Sequence, residues 1–253
     1  MTDELNFSGT RVLVTGGSGD IGRAMCLAFA ARGAKVAFTW FLGHERCDQL
    51  VDAITAAGGV AAPIRANLRD KGAAATIAAA LPEAWGGLDV LISNAATGVL
   101  KPAMQLTAKH WKAVMAVNAQ SFLELAQAFA PKMAAGGRIL ALTSAGASRA
   151  IENYALVGAS KAALESLVRH LAMELGPKAI TVNAICPGVV DTAALDHFPN
   201  REQLLRVARM RTPNGRLATP EDVAQVALLL ASPFAAMIQG QTITVDGGYG
   251  ILA

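Results

Sequence analysis

Seven short runs of β-branched and apolar residues recur along the chain, separated by alanine-rich stretches of helical period. The runs are "RVLVT" (11–15), "KVAFTW" (35–40), "VAAPIRA" (60–66), "LDVLIS" (88–93), "GRILALT" (137–143), "AITVNAI" (179–185) and "QTITVD" (241–246). Helical stretches are expected between them at 21–32, 45–57, 70–81, 107–117, 119–134, 153–175 and 221–231. Strands that are continuously apolar rather than alternating are buried on both faces, which requires a parallel sheet sandwiched by helices. The pattern predicts a single-domain α/β protein, a Rossmann-like doubly wound seven-stranded parallel sheet in the order 3-2-1-4-5-6-7. "TPEDVAQ" opens with a Thr–Pro–Glu start signal, so a helix is expected from there. Residues 193–219 break the alternation, being polar, arginine-rich and interrupted by Pro199 and Pro213. They read as a mobile cover, a substrate lid at about 193–215 over the cleft beyond the strand ends.

Composition removes several function classes. With 253 residues and 53% hydrophobic content the chain suits one soluble domain without a linker or repeat, spanning 1–253. A formal charge of +3, scattered along the chain, does not suggest a nucleic-acid protein. "MTDELNFSGT" has no basic region followed by an apolar one, so no secretory signal is expected. "VAQVALLLASPFAAMI" contains Gln225 and Pro233 and is too short to span a membrane. Cys26, Cys47 and Cys186 lack metal-ligand spacing and cannot all pair, so no metal site and a reducing cytoplasm are expected.

"VLVTGGSGDIGRA" places a glycine-rich turn directly after the first strand and at the start of a helix. That setting suits a dinucleotide, because glycines let the backbone approach a pyrophosphate and the helix N-terminus offers free N–H groups. Asp20 is out of keeping. It can cap N–H groups at the helix start, but its charge would repel a phosphate, so its carboxylate is expected to point away from the cofactor.

Three further motifs follow: "SNAA" (93–96) after the fourth strand, "AVNAQ" around Asn118, and "CPGVVDT" (186–192). Singly, Asn94 or Asn118 would be an ordinary turn or capping asparagine. Together, in this order, the motifs resemble those of the short-chain dehydrogenase/reductase family over essentially the whole chain. That family carries Thr-Gly-x-x-x-Gly-x-Gly at the first turn; here Thr15, Gly16 and Gly22 match, and Asp20 replaces the middle glycine. The resemblance implies cofactor contacts at Gly16, Ser18, Asp20, Ile21, Asn94, Pro187, Gly188, Val190 and Thr192. It also implies a proton-relay water supported by Asn118, adenine contacts at Asn67 and Leu68, and a homotetramer in which "TVDGGYGILA" could pack.

An acidic residue ending the second strand would bind the ribose hydroxyls and select NAD. Here the strand runs into "FLGHER", with no carboxylate in its first positions. Arg46 or His44 could meet a 2′-phosphate instead, or both could be solvated side chains at a helix start. NADPH is therefore favoured over NADH.

Most members of this family place a tyrosine thirteen residues after a serine and a lysine four beyond that. Counted from Ser144, the tyrosine position is Val157, with Lys161 in register. Tyr154 lies three residues earlier. Seven residues make almost two helical turns, so Tyr154 and Lys161 still share a face, with Tyr154 about 4.5 Å further along the axis than position 157. A carbonyl reductase protonates the oxygen on the very carbon that receives hydride. An enoyl thioester reductase delivers hydride to C3 while charge collects on the oxygen at C1, so its donor must stand further away. The Tyr-x6-Lys spacing, with "NAATGVLKPAMQLTAKHW" and "MIQGQTITVDGG", is similar to that of type III enoyl-acyl-carrier-protein reductases, an NADPH-dependent branch of bacterial fatty-acid synthesis. By that resemblance Tyr154 serves the enolate oxygen, Lys161 binds the nicotinamide ribose, and Ser144 need not touch substrate. A lysine beside the phenol is also expected to lower its pKa. A 3-oxoacyl or other carbonyl reductase using Ser144 with Tyr154 remains open. Arg201, Arg206, Arg209, Arg211 and Arg216 read either as a solvated helix face or as a basic approach to acyl carrier protein. Met210 and Phe198 could line an acyl channel or pack in the core.

Overall fold

The computed structural model describes residues 5–197 and 200–252. Among them, seven strands form one all-parallel sheet: β1 (Arg11–Val14), β2 (Lys35–Trp40), β3 (Val60–Arg65), β4 (Val90–Ser93), β5 (Arg138–Leu142), β6 (Thr181–Pro187) and β7 (Thr242–Val245). Their order is β3-β2-β1-β4-β5-β6-β7, as expected. The sheet reverses direction of growth between β1 and β4, where Leu13 pairs with Leu91, and that switch point opens a crevice at the carboxyl ends.

Strands β1 to β6 feed both faces, whereas β7 contributes Ile243 and Val245 to one. Val12 and Val14 enter a core with Met25, Phe29, Leu50 and Leu228, from helices α1 (Asp20–Ala30), α2 (His44–Ala56) and α8 (Pro220–Ala231). Leu13, between them, enters the opposite core with Ile77, Phe122, Phe129 and Leu164. Those side chains come from α3 (Ala73–Ala80), α5 (Ser121–Phe129) and α6 (Ala155–Leu175). This two-sided burial is why the strand sequences are continuously apolar. α8 begins as its sequence signal requires: the Thr219 hydroxyl accepts from the Asp222 N–H at 3.2 Å, with Pro220 in the first turn.

Two helical expectations change. The stretches at 107–117 and 119–134 join through Asn118: α4 (Ala108–Met115) runs through a π-turn (Ala116–Gln120) into α5, which ends just before Pro131. The segment at 193–219 is not irregular throughout. It contains α7 (Arg201–Arg211), whose buried side chains are Leu205 and Ala208. Phe198 and Pro199 lie outside the described residues, and Met210 is 79% exposed. No helix among the described residues is long and apolar enough to cross a membrane. No group of His, Cys, Asp and Glu among them could hold a metal ion.

Candidate active site

The turn after β1 is laced to its neighbours. The Thr15 hydroxyl accepts from the backbone N–H groups of Asn94 and Ala95, both at 3.0 Å. The Asn94 amide donates to the carbonyls of Thr15 (2.9 Å) and Gly16 (3.1 Å). Gly16 adopts φ +65°, and a Cβ there would approach Ala95 to 3.0 Å. A Cβ on Gly22 would fall 2.2 Å from the Gly16 carbonyl. Glycine is required at both places, one for its backbone angle and one for close approach. Above this turn lies a cleft of about 440 Å³ at the carboxyl ends of the strands.

Ten of the candidate catalytic and cofactor-binding residues read from the sequence line that cleft. Gly16, Asp20 and Ile21 come from the turn and the start of α1, Arg46 from α2, and Asn94 from the end of β4. Ser144 and Tyr154 flank the turn into α6, Lys161 comes from α6 itself, and Pro187 and Thr192 follow β6. The others sit elsewhere. Ser18 is half-buried in the turn without lining the cleft. Asn67 donates to Asp70 (2.9 Å) and accepts from the Arg69 N–H (3.2 Å). Leu68 is buried in the core. The Cα of Gly188 packs on Asp246, where a Cβ would clash at 2.6 Å, and Val190 forms a parallel bridge with Ala218.

Asn118 is buried one layer behind the cleft in the π-turn. Its carbonyl oxygen accepts from the Thr97 N–H (2.8 Å), and its amide donates to the Thr97 carbonyl and the Ser160 hydroxyl, both at 2.9 Å. It thereby ties the loop after β4 to α6.

Tyr154 is the residue that caps α6, not a member of its first turn. The preceding Asn153 takes φ +59°, and the chain enters the helix from that kink. Gly146 makes room for the phenol ring: a Cβ on Gly146 would lie 2.5 Å from the ring. Gly158 likewise lets α6 press onto the Gly146 carbonyl, where a Cβ would meet it at 2.5 Å. This glycine pair is absent from the sequence reading, though its proximity to Tyr154 in sequence was a signal. Val157, at the usual tyrosine position, is buried and packs toward Gly98.

The Tyr154 hydroxyl donates to Ser144 Oγ at a long 3.4 Å, and Lys161 Nζ donates to the Leu142 carbonyl at 2.7 Å. Burial pushes the Lys161 ammonium down to about 8, with the nearby Cys186 opposing it. The phenol does not follow the expected direction. Burial raises Tyr154 above its usual 10.0, although the bond to Ser144 pulls the other way. Desolvation disfavours both charged forms here, and on the phenol it outweighs the bond to Ser144.

Asp20 also departs from expectation, because its carboxylate does not point away from the cleft. It accepts from Arg46 Nη2 and, through the other oxygen, from the Ala193 N–H at 2.8 Å. His44 instead faces Asp48 at 2.7 Å and packs edge-on against Trp40. Among the five arginines, Arg201 pairs with Asp191 and Asp196, Arg216 with Asp222, and Arg211 lies over the Tyr249 ring.

A glycine turn, a switch-point crevice and a polar cluster at the strand ends define a Rossmann-like α/β protein. The sequence model of the Enoyl-(Acyl carrier protein) reductase family matches residues 17–250. A 1-cyclohexenylcarbonyl-CoA reductase from Streptomyces collinus is 34% identical over 243 residues, 95% of this chain and 87% of its own length. A 7α-hydroxysteroid dehydrogenase from Escherichia coli strain K12 is 34% identical over 251 residues, covering 98% of this chain and 96% of its own. A short-chain dehydrogenase from Burkholderia cenocepacia J2315, solved in complex with NADP, superposes with a TM-score of 0.89 at 34% identity, covering 97% and 99% of the two chains. The chain belongs to the short-chain dehydrogenase/reductase family, and it is an oxidoreductase.

Proposed function

We propose that this protein reduces the C2=C3 double bond of trans-2-enoyl thioesters, carried on acyl carrier protein or coenzyme A, with NADPH. The observation that carries the reading is the displaced phenol: Tyr154 lines the cleft from the cap of α6, while a buried valine holds the position from which a carbonyl reductase protonates its substrate. The similarity to a 1-cyclohexenylcarbonyl-CoA reductase, whose name describes an α,β-unsaturated acyl thioester, supports it.

The cleft suits a dinucleotide. Side chains larger than hydrogen at Gly16 and Gly22 would clash within the turn, and the first N–H groups of a helix such as α1 suit an anion. Arg46 in the lining, no carboxylate at residues 41–43, and NADP in the Burkholderia relative support the phosphorylated cofactor. When bound, a reduced nicotinamide supplies the hydride, which in this reaction reaches C3. The chain's own part is to hold the enolate oxygen and provide a proton. A raised phenol pKa keeps Tyr154 protonated at neutral pH, which is the form a reductase needs as donor. Lys161, charged below about pH 8, grips the ribose and stabilises charge developing on the phenol. Asn118 fixes the wall behind them. Residues 193–215 form the lid, and the homotetramer, the cytoplasmic setting and the acyl carrier protein belong to the same proposal.

A carbonyl reductase is the second reading, and the Tyr154–Ser144 hydrogen bond favours it, since that pair could bracket a ketone oxygen. The 7α-hydroxysteroid dehydrogenase relative is in keeping with it. Oxidation of NADPH and NADH is to be followed with crotonyl and acetoacetyl thioesters side by side. Turnover of crotonyl thioester with NADPH is expected. Reduction of acetoacetyl thioester alone would replace the first reading by the second.

A further inference from the structure

The family's turn has a glycine where this chain has Asp20, and the structure gives that carboxylate two partners from two other segments. One is the Arg46 guanidinium on α2, and the other is the Ala193 N–H, the first residue of the turn that follows Thr192. All three residues line the cleft. As the first residue of α1, Asp20 also sits where the helix dipole favours negative charge. A guanidinium fork and a free backbone N–H are the donors that bind phosphate oxygens. In this structure a side-chain carboxylate holds both.

We propose that Asp20 is an internal counter-anion that competes with the cofactor's 2′-phosphate for Arg46, and so sets the enzyme's discrimination between NADPH and NADH. This rests on the nicotinamide reading of the cleft given above. The phosphorylated cofactor must draw the guanidinium away from Asp20, whereas NADH makes no such demand. The charge of Asp20 also repels the pyrophosphate, but that cost falls on both cofactors alike and cancels in their ratio. The pair is partly exposed, with side-chain accessibilities of 47% for Arg46 and 27% for Asp20, so the competition adjusts affinity and does not block binding. Ion pairs of this exposure correspond to roughly twofold to fivefold in an equilibrium constant.

The test is a fluorescence titration of NADPH and NADH, without substrate, into wild type, Asp20→Asn, Asp20→Gly, Arg46→Ala and Asp20→Asn/Arg46→Ala. Asp20→Asn retains an acceptor for the Ala193 N–H and loses the charge. It is expected to raise the NADPH:NADH affinity ratio about twofold to fivefold. Asp20→Gly should raise it at least as far. In the Arg46→Ala background the Asp20 substitution should leave the ratio unmoved, because the contested group is gone. A ratio that stays constant or falls in both Asp20 variants overturns the proposal, as does a rise that persists without Arg46. Wild type that binds neither cofactor would remove the nicotinamide reading itself, and this inference with it. Binding of both with an immovable ratio removes the inference alone.

Discussion

The two rims of the sheet, an amino edge and a carboxyl edge named for the ends of its strands, handle charge in opposite ways. At the amino edge, Arg11 at the start of β1 donates from Nε and Nη2 to the Asp89 carboxylate at 2.8 and 2.6 Å, and from Nη1 to the Trp85 carbonyl. Asp89 also accepts the Arg11 backbone N–H. At the carboxyl edge, Lys161 donates to a carbonyl and, among the described residues, to no carboxylate, and Tyr154 donates to Ser144 at 3.4 Å. Pairing drives the Asp89 pKa down in spite of burial, while burial prevails at Lys161 and Tyr154. Charge matched by charge holds the fold. At the cleft, burial rather than a bonded carboxylate sets the Lys161 ammonium, and strongly shifted groups of this kind gather at functional sites.

Removing the phenol breaks the comparison most sharply. Tyr154→Phe is expected to lower kcat on crotonyl thioester by roughly 10²–10⁴-fold, the usual worth of a positioned acid. NADPH affinity and the melting temperature should scarcely change, because the ring still fills the space beside Gly146. A variant retaining more than a tenth of wild-type kcat would show that another group protonates the product.

Lys161 comes next. Its folded-state pKa lies below the ordinary value of 10.5, at about 8, so the ammonium is present below that pH and lost above it. In the free enzyme, kcat/KM should fall about tenfold per unit once pH passes 8. Lys161→Arg, whose charge persists, should remove that limb, and Lys161→Ala should weaken both turnover and NADPH binding. An alkaline limb that survives in the arginine variant would assign it to a different group.

The sequence carried the sheet architecture well, because continuous apolar runs have few alternatives to a doubly covered parallel sheet. It pointed to Tyr154 and Lys161, which both line the cleft, although Tyr154 caps α6 and does not lie on its face. What it hid were contacts between distant segments. Asp20 and Arg46 are 26 positions apart, and nothing local to either announces the pair. The π-turn at Asn118 adds one residue to a helical turn, which hydrophobic periodicity does not register. α7 does not stand out as a stretch of helical period because a helix that buries only Leu205 and Ala208 has no apolar stripe to detect. The phenol's raised pKa was missed for a related reason: a lysine nearby is visible in sequence, but desolvation is not.

At the amino edge the expected effect is on stability alone. Asp89→Asn keeps the shape and removes the charge that Arg11 meets, at a cost of about 1–2 kcal/mol, allowing for the pair's partial exposure. For a chain of this size that lowers Tm by roughly 2–8 °C. Because the folded-state pKa of Asp89 is depressed below 3.8, its stabilisation is present above that value and lost as pH falls through the lower, folded value. The wild type should therefore lose its Tm advantage over Asp89→Asn in strong acid, while kcat at pH 7 and 25 °C is equal in the two. A loss of kcat in a fully folded Asp89→Asn would mean that the two edges are coupled.

The smallest effect concerns how far the carboxyl edge reaches beyond the cleft. Arg206 and Arg209 lie on α7, downstream of the cleft-lining Thr192–Ala194, and among the described residues no side-chain hydrogen bond or ion pair engages either guanidinium. Exposed, unmatched positive charge does little for the fold, but it accelerates encounter with an acidic partner. Charge reversal, Arg206→Glu with Arg209→Glu, should therefore raise KM for an enoyl group on acyl carrier protein severalfold. The same thioester on coenzyme A should be affected much less, because it is smaller and carries fewer charges. The difference should shrink as salt is raised from about 10 mM to physiological strength, where the screening length falls to about 8 Å. Equal changes in KM for both carriers would return these arginines to the solvated face of α7, and the work of the carboxyl edge would end at the rim of the cleft.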